Sequence, residues 1–182
     1  MILQQIEFSG LPDGEVEVRD QGKVYQLTPQ HYEFIDEFLD VLKSKRKIAY
    51  MALEKRYSKS KSNYPYYKFL MVRGFIKCNF IMFDNRMDID ENGNFNTEYV
   101  LCPRTGECVE CGLICNSPAN TDLSEREVQV LCKIAEGKEN RIIADELYIS
   151  VNTVHNHRNN ILKKLGMTNT AELVRYWFEN YK

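Results

Sequence analysis

The residues best equipped for chemistry in this sequence are its cysteines, four of which fall within fourteen positions. Cys102, Cys108, Cys111 and Cys115 are spaced C-x5-C-x2-C-x3-C. The short turn from Cys108 to Cys111 points both sulfurs to one side, and Gly112 allows close backbone approach. Four thiolates this dense suit tetrahedral zinc. Such a shell is closed, leaves no position for water, and is structural rather than catalytic. An iron–sulfur cluster is the alternative and implies a redox- or oxygen-responsive protein. Thiols without metal are a third reading. The remaining two cysteines read as bland: Cys78 as a small hydrophobe in an apolar run, Cys132 as an inert, outward residue.

The second chemistry-bearing group is a polar run near the C-terminus. Ser150 is placed to cap a helix from Val151 to Leu165, with Val154, Ile161 and Leu165 turned inward and Gly166 as the stop. Asn152, His155, Asn156 and Asn159 then share the opposite face. Asparagine can read adenine bidentately, and histidine can meet the acceptors of guanine. Arg141, Thr153, Arg158, Lys163 and Lys164 could hold phosphate. A solvated polar face is the bland alternative for the same residues.

The elements around that helix are equally readable. Ser124 and Glu127 form a capping box. The helix they open runs through Val130, Leu131, Ile134 and Ala135 to Gly137. A second helix fits Asn140 to Leu147, and Tyr148 to Ser150 make a tight connection. Thr168 and Asn169 cap a fourth helix through Ala171, Val174, Trp177 and Phe178, with Trp177 or Phe178 packing in the core. Two helices joined by a tight turn, the second polar on its outer face, form a helix-turn-helix layout.

This segment resembles the LuxR/FixJ/NarL-type helix-turn-helix domain over residues 123–178. The matching residues are Leu123, Ser124, Arg126, Glu127, Val130, Leu131, Ile134, Ala135, Gly137, Asn140, Arg141, Ile143, Ala144, Leu147, Ile149, Ser150, Thr153, Val154, His157, Asn160, Ile161, Lys164 and Leu165. The resemblance implies that helix 151–165 enters the major groove of double-stranded DNA, and that the chain is a bacterial, cytoplasmic transcription regulator. It also implies a homodimer using the last helix, here 171–181, where Tyr176, Trp177, Phe178 and Tyr181 exceed what one inner face requires. Three positions depart from the family pattern. His155 stands where Lys is frequent, Ile142 where Glu is common, and Thr170 where Arg is common. These leave the fold untouched and imply an altered site preference.

Other signals carry less. Asp88, Asp90, Asn92 and Gly93 begin like a calcium loop, but the twelfth position is Tyr99 rather than a bidentate glutamate. No nucleophile–base arrangement and no phosphate-binding glycine loop is visible, so an enzyme is not expected. No apolar stretch is long enough to cross a bilayer, and the first residues lack the pattern of a secretory signal.

The first hundred residues must position the cysteines and are harder to read. Residues 16–27 alternate around Asp20, Gln21 and Gly22 as a hairpin. Thr28 and Pro29 are expected to open a helix bearing Tyr32, Ile35, Phe38, Leu39 and Leu42 on one face. A second helix covers about 47–57, a polar loop 58–63, and the apolar stretch 66–83 is strand, helix or both. Residues 84–101 read as a second hairpin turning at Asn92–Gly93. Charge is segregated. Residues 1–42 hold nine acidic and two basic side chains; residues 43–77 hold eleven basic ones and only Glu54. The basic tract, interleaved with Tyr50, Tyr57, Tyr64, Tyr66 and Tyr67, either contacts nucleic acid or pairs with the acidic start of the chain.

The expected architecture is an α+β N-terminal domain (1–115) ending in a four-cysteine knuckle, a linker (116–122), and an all-α four-helix domain (123–182). The expected function is sequence-specific DNA binding by a transcription regulator. The N-terminal domain would act as an input module for a protein partner or ligand. The alternatives are an iron–sulfur sensor through Cys102–Cys115 and a protein- or RNA-binding adaptor using 43–77.

Overall fold

The computed structural model describes residues 3–82, 86–98, 100, 102–104, 108–115, 117 and 121–180. Strands β1 (Ile6–Gly10), β2 (Val16–Asp20) and β3 (Lys23–Gln26) form one antiparallel sheet in that order. The expected hairpin is the β2–β3 pair, with Asp20 opposite Lys23. Gln21 and Gly22 both have positive φ, as a two-residue turn matching strand twist requires. Val16 and Val18 alternate with polar residues and meet Phe8 and Ile6 in the core.

Three helices cover the sheet: α1 (Tyr32–Lys45), α2 (Lys47–Arg56) and α3 (Tyr64–Asn79). The start of α1 corrects the expectation from Thr28 and Pro29. His31 occupies the cap, and its Nδ1 accepts the Thr28 amide at 3.0 Å, so the turn 28–31 is spent before the helix begins. The apolar stretch after residue 64 is helix, opened by Asn63, whose side chain accepts the Tyr66 amide, and by Pro65 in the first turn. Phe8, Phe34, Phe38, Phe75, Phe80 and Phe95 interlock around these helices, with ring centroids between 5.1 and 6.3 Å. Each such pair contributes about 0.5–1.5 kcal/mol beyond its buried area.

The second expected hairpin is reduced among the described residues to single bridges. Ile89 pairs with Phe95 and, across the sheet edge, with Ile6. The Asp90 carboxylate accepts the amides of Asn92 and Asn94, each at 2.8 Å, and makes the turn. Asp88 is buried and accepts the Phe8 amide at 2.7 Å, which commits it to the fold rather than to a calcium ion. Tyr99 lies outside the described residues.

The C-terminal part is helical: α4 (Glu125–Ala135), α5 (Asn140–Leu147), α6 (Val151–Leu165) and α7 (Thr170–Asn180). Helix α4 starts with the capping box as expected, and α6 starts at Ser150, whose Oγ accepts the Thr153 amide at 3.0 Å. Helix α6 packs on α4 and α5, and α7 packs on α4. In α7 the buried residues are Leu173 and Trp177, while Ala171 and Phe178 are exposed. Residues 116 and 118–120, most of the expected linker, and Tyr181 lie outside the described residues. No helix among the described residues is long and apolar enough to cross a membrane.

Candidate nucleic-acid interface

Helix α6 is held from behind and open in front. Val154 and Ile161 are fully buried against the bundle. Asn152, His155, Asn156 and Asn159 are all exposed along the opposite side, in the presence of the N-terminal half. Spacing of three and four residues places these four side chains on one stripe. An exposed polar stripe is what base-edge reading requires, although His155 Nε2 also lies 3.2 Å from Asn140 Nδ2.

The entry to α6 is set by a strained turn. Tyr148 is left-handed at φ 54° and ψ 46° and 93% exposed. Arg126 of α4 donates to the Leu147 carbonyl at 2.5 Å and to Gln129 Oε1 at 2.9 Å, closing the C-terminus of α5 at that turn. A small polar network ties α6 to its neighbours. Asn140 of α5 meets His155 Nε2 at 3.2 Å and accepts from Arg158 at 2.8 Å. Arg158 also donates to Thr170 of α7. Neither Arg126 nor Asn140 carries a role in a reading based on residue type; their role appears only once the three helices are assembled.

The cations expected at phosphate fall into two groups. Arg141 and Lys163 are exposed. Arg158 is half-buried and Lys164 is exposed, but both have partners within the domain. Lys164 reaches Glu127 Oε2 at 2.7 Å and the Asp122 carbonyl at 3.2 Å. Burial pushes the Glu127 carboxyl up, but Lys164 and the hydrogen bonds from Ser124 outweigh it and hold it below the usual range. Thr153 is half-buried and shares a 2.8 Å hydroxyl contact with Ser150.

The cysteine segment lies between the two halves. On its N-terminal side, buried Asn79 donates to the Ile114 carbonyl at 3.2 Å, Arg56 pairs with Glu110 at 3.0 Å, and Arg46 donates to the Ser117 carbonyl. On its C-terminal side, Gln129 of α4 donates to the Val109 carbonyl at 2.9 Å. Gly112, at φ 78°, sits so close that a Cβ would meet Trp177 at 2.9 Å and Cys132 at 3.0 Å. The thiols of Cys111 and Cys132 are 3.0 Å apart.

This arrangement corrects the bland reading of Cys132, which is buried and faces the cysteine segment. Cys78 is half-buried and also belongs to the thiol neighbourhood. Burial and the nearby thiols of Cys115, Cys108 and Cys102 push its pKa up to about 12. For Cys111 the contact with Cys115 pulls down, while the contact with Cys132 and burial raise it to about 12. Of the four cysteines expected as one ligand set, the structure brings Cys111 and Cys115 together in a parallel bridge. Among the described residues, the ligand atoms that converge within 4.8 Å of one another are those of Cys111, Cys132 and Glu136. Cys102, Cys108 and Cys115 stand outside that group.

The basic tract is largely absorbed by the fold. Lys45, Arg46, Arg56, Lys68, Arg73 and Lys77 each bind a carboxylate or carbonyl from elsewhere in the chain. Lys68 and Arg73 meet Asp36 and Glu15 of the acidic start.

Helices α4 to α7, with an outward polar face on the helix after the tight turn, define a helix-turn-helix unit of the kind that docks in a DNA groove. Residues 121–177 match the family described as bacterial regulatory proteins, luxR family. This segment is a LuxR-family helix-turn-helix domain. The chain is similar to the transcriptional regulatory protein LiaR of Bacillus subtilis (strain 168), with 39% identity over 66 residues, 36% of this chain and 31% of that protein. It is also similar to the oxygen regulatory protein NreC of Staphylococcus aureus (strain JH9), with 46% identity over 54 residues, 30% of this chain and 25% of that one. The chain thus spans less than a third of the length of these relatives. No solved structure matches the chain.

Proposed function

We propose that this protein is a sequence-specific DNA-binding transcription regulator rather than an enzyme. One observation carries the reading: in a LuxR-family domain, Asn152, His155, Asn156 and Asn159 stand together on the open face of α6. The helix enters the major groove, and these four side chains read base edges. Arg141 and Lys163 bind phosphate, joined by Thr153 at the helix N-terminus. Arg158 and Lys164 are phosphate contacts only if they leave their present partners.

The helical domain has nine acidic and nine basic residues over 122–182, so phosphate attraction per monomer is modest. A homodimer through α7 offsets this by engaging two half-sites. Half-exposed Phe178 supplies apolar surface for it. The N-terminal half acts as input for a protein partner or ligand, in the cytoplasm of a bacterium. The cysteine segment is a structural zinc site at the junction of input and output. Spacing alone suggests Cys102, Cys108, Cys111 and Cys115 as its ligands, with an iron–sulfur cluster as the second reading.

The test is selection of bound sequences from random double-stranded DNA by the full chain. Enrichment of one motif supports the regulator. Binding that shows no motif and survives replacement of both His155 and Asn156 by alanine, but not neutralisation of the lysines between 43 and 61, points to the adaptor instead.

A further inference from the structure

We infer that a metal site is closed across the domain boundary, with Cys132 and Glu136 of the DNA-binding domain as ligands beside Cys111. This rests on the reading of the cysteine segment as metal-binding, and it changes both the ligand set and what the metal does.

The geometry is the argument. Cys132 and Glu136 lie one turn apart on α4 and its C-cap, so their side chains project from the same face. Glu136 Oε1 is 3.6 Å from Cys132 Sγ and 3.7 Å from Cys111 Sγ. Zinc–sulfur bonds of about 2.3 Å and zinc–oxygen bonds of about 2.0–2.2 Å give a regular tetrahedron a sulfur–oxygen edge of about 3.5–3.7 Å. The two observed separations match that edge. The sulfur–sulfur edge of the same tetrahedron is about 3.8 Å, so the thiols need to swing apart by only about 0.8 Å. Cys115 adjoins Cys111 through a backbone bridge, and its thiol lies outside the converging group.

The surroundings fit a metal held by thiolates and a carboxylate. The other Glu136 oxygen, Oε2, is bound by Lys133 at 3.4 Å and Lys138 at 3.0 Å. That leaves Oε1 toward the sulfurs and places two ammonium groups beside a site whose ligands carry excess negative charge. Cys111 also lines a cleft with Cys108, Val109 and Lys133, which provides an entry path.

The consequence is mechanical. With ligands from both halves, the metal fixes α4, and with it the whole helix-turn-helix unit, to the segment anchored on α2 and α3 by Arg56 and Asn79. The recognition face stays open in that arrangement. Metal occupancy therefore sets how rigidly the DNA-reading unit is carried.

The experiment uses the full-length reduced chain and either zinc alone or cobalt(II) as a spectroscopic probe. Wild type should bind one ion, with thiolate-to-cobalt charge transfer and tetrahedral visible bands. Cys132→Ser and Glu136→Gln should each weaken zinc at least tenfold in competition with a chromophoric chelator, while Cys102→Ser should bind as wild type. Glu136 is exposed, so its variant folds whatever the fate of Cys132→Ser; circular dichroism checks both. Hydrogen exchange should show α4 and residues 108–115 gaining protection together when zinc is added. Loss of binding in Cys102→Ser with retention in Cys132→Ser overturns the inference and leaves a site within 102–115. Absence of any ion in reduced wild type, a Cys111–Cys132 disulfide in its place, or visible iron–sulfur absorbance overturns it together with the zinc reading.

Discussion

Two lysines one residue apart, Lys163 and Lys164, separate surface chemistry from structure. Both are exposed, but Lys164 is also tied to the capping-box carboxylate of Glu127 and to the Asp122 carbonyl. Lys163→Ala should lower the slope of log affinity against log salt by about one, with no change in melting temperature. Lys164→Ala should leave the slope intact and cost about 1 kcal/mol in a denaturant titration, since it strands a buried carboxylate. Among the residues proposed to read bases, Asn156→Ala should weaken the selected site by about 1–3 kcal/mol at fixed salt and relax preference at one position. Fluorescence anisotropy with the selected and a scrambled duplex distinguishes the two. At Gly112 the argument is steric as well as conformational. Gly112→Ala places a methyl within 3.0 Å of Trp177 and Cys132 at a φ of 78°. It should cost about 1–3 kcal/mol, read as a lower melting temperature of the full chain.

The helices of the C-terminal half are joined by ion pairs that acid should undo. Glu127 links α4 to α6; Glu136 and Glu146 share Lys133 and Lys138 between α4 and α5. In all three, burial acts to raise the carboxyl pKa, yet the lysine partners win and hold it below 4.5. A carboxylate with a depressed folded-state pKa stabilises fully above its unfolded value and loses that stabilisation as pH falls through the folded value. Stability should therefore be flat above about pH 5 and fall steeply below 4.5, and Glu127→Gln should flatten that fall. These elements were also the readable ones. The capping box, Asn140–Leu147 and Val151–Leu165 stand in the sequence because each helix carries its own cap, period and stop, all local signals. The start of helix α1 and the role of Asp88 were not readable in the same way. His31 capturing Thr28, and Asp88 capturing the amide of Phe8 eighty residues away, are contacts between segments whose types alone are ambiguous. Cys132 was misread for the same reason: its partner is twenty-one residues back, across the domain boundary.

At the scale of the molecule, a three-stranded sheet and three helices carry a cysteine segment, and that segment abuts the first and last helices of a LuxR-family unit. In the basic tract, Arg56, Lys68 and Arg73 pair with carboxylates, and Lys45 and Lys77 bind backbone carbonyls. What remains open is α6. The measurement that tests this most directly is selection from random double-stranded DNA by the reduced, metal-loaded full chain, run beside the variant carrying both His155→Ala and Asn156→Ala. The account predicts one enriched motif with two half-sites for the wild type, and loss or degeneration of that motif for the variant. Equal enrichment by both proteins, or none by either, would contradict it.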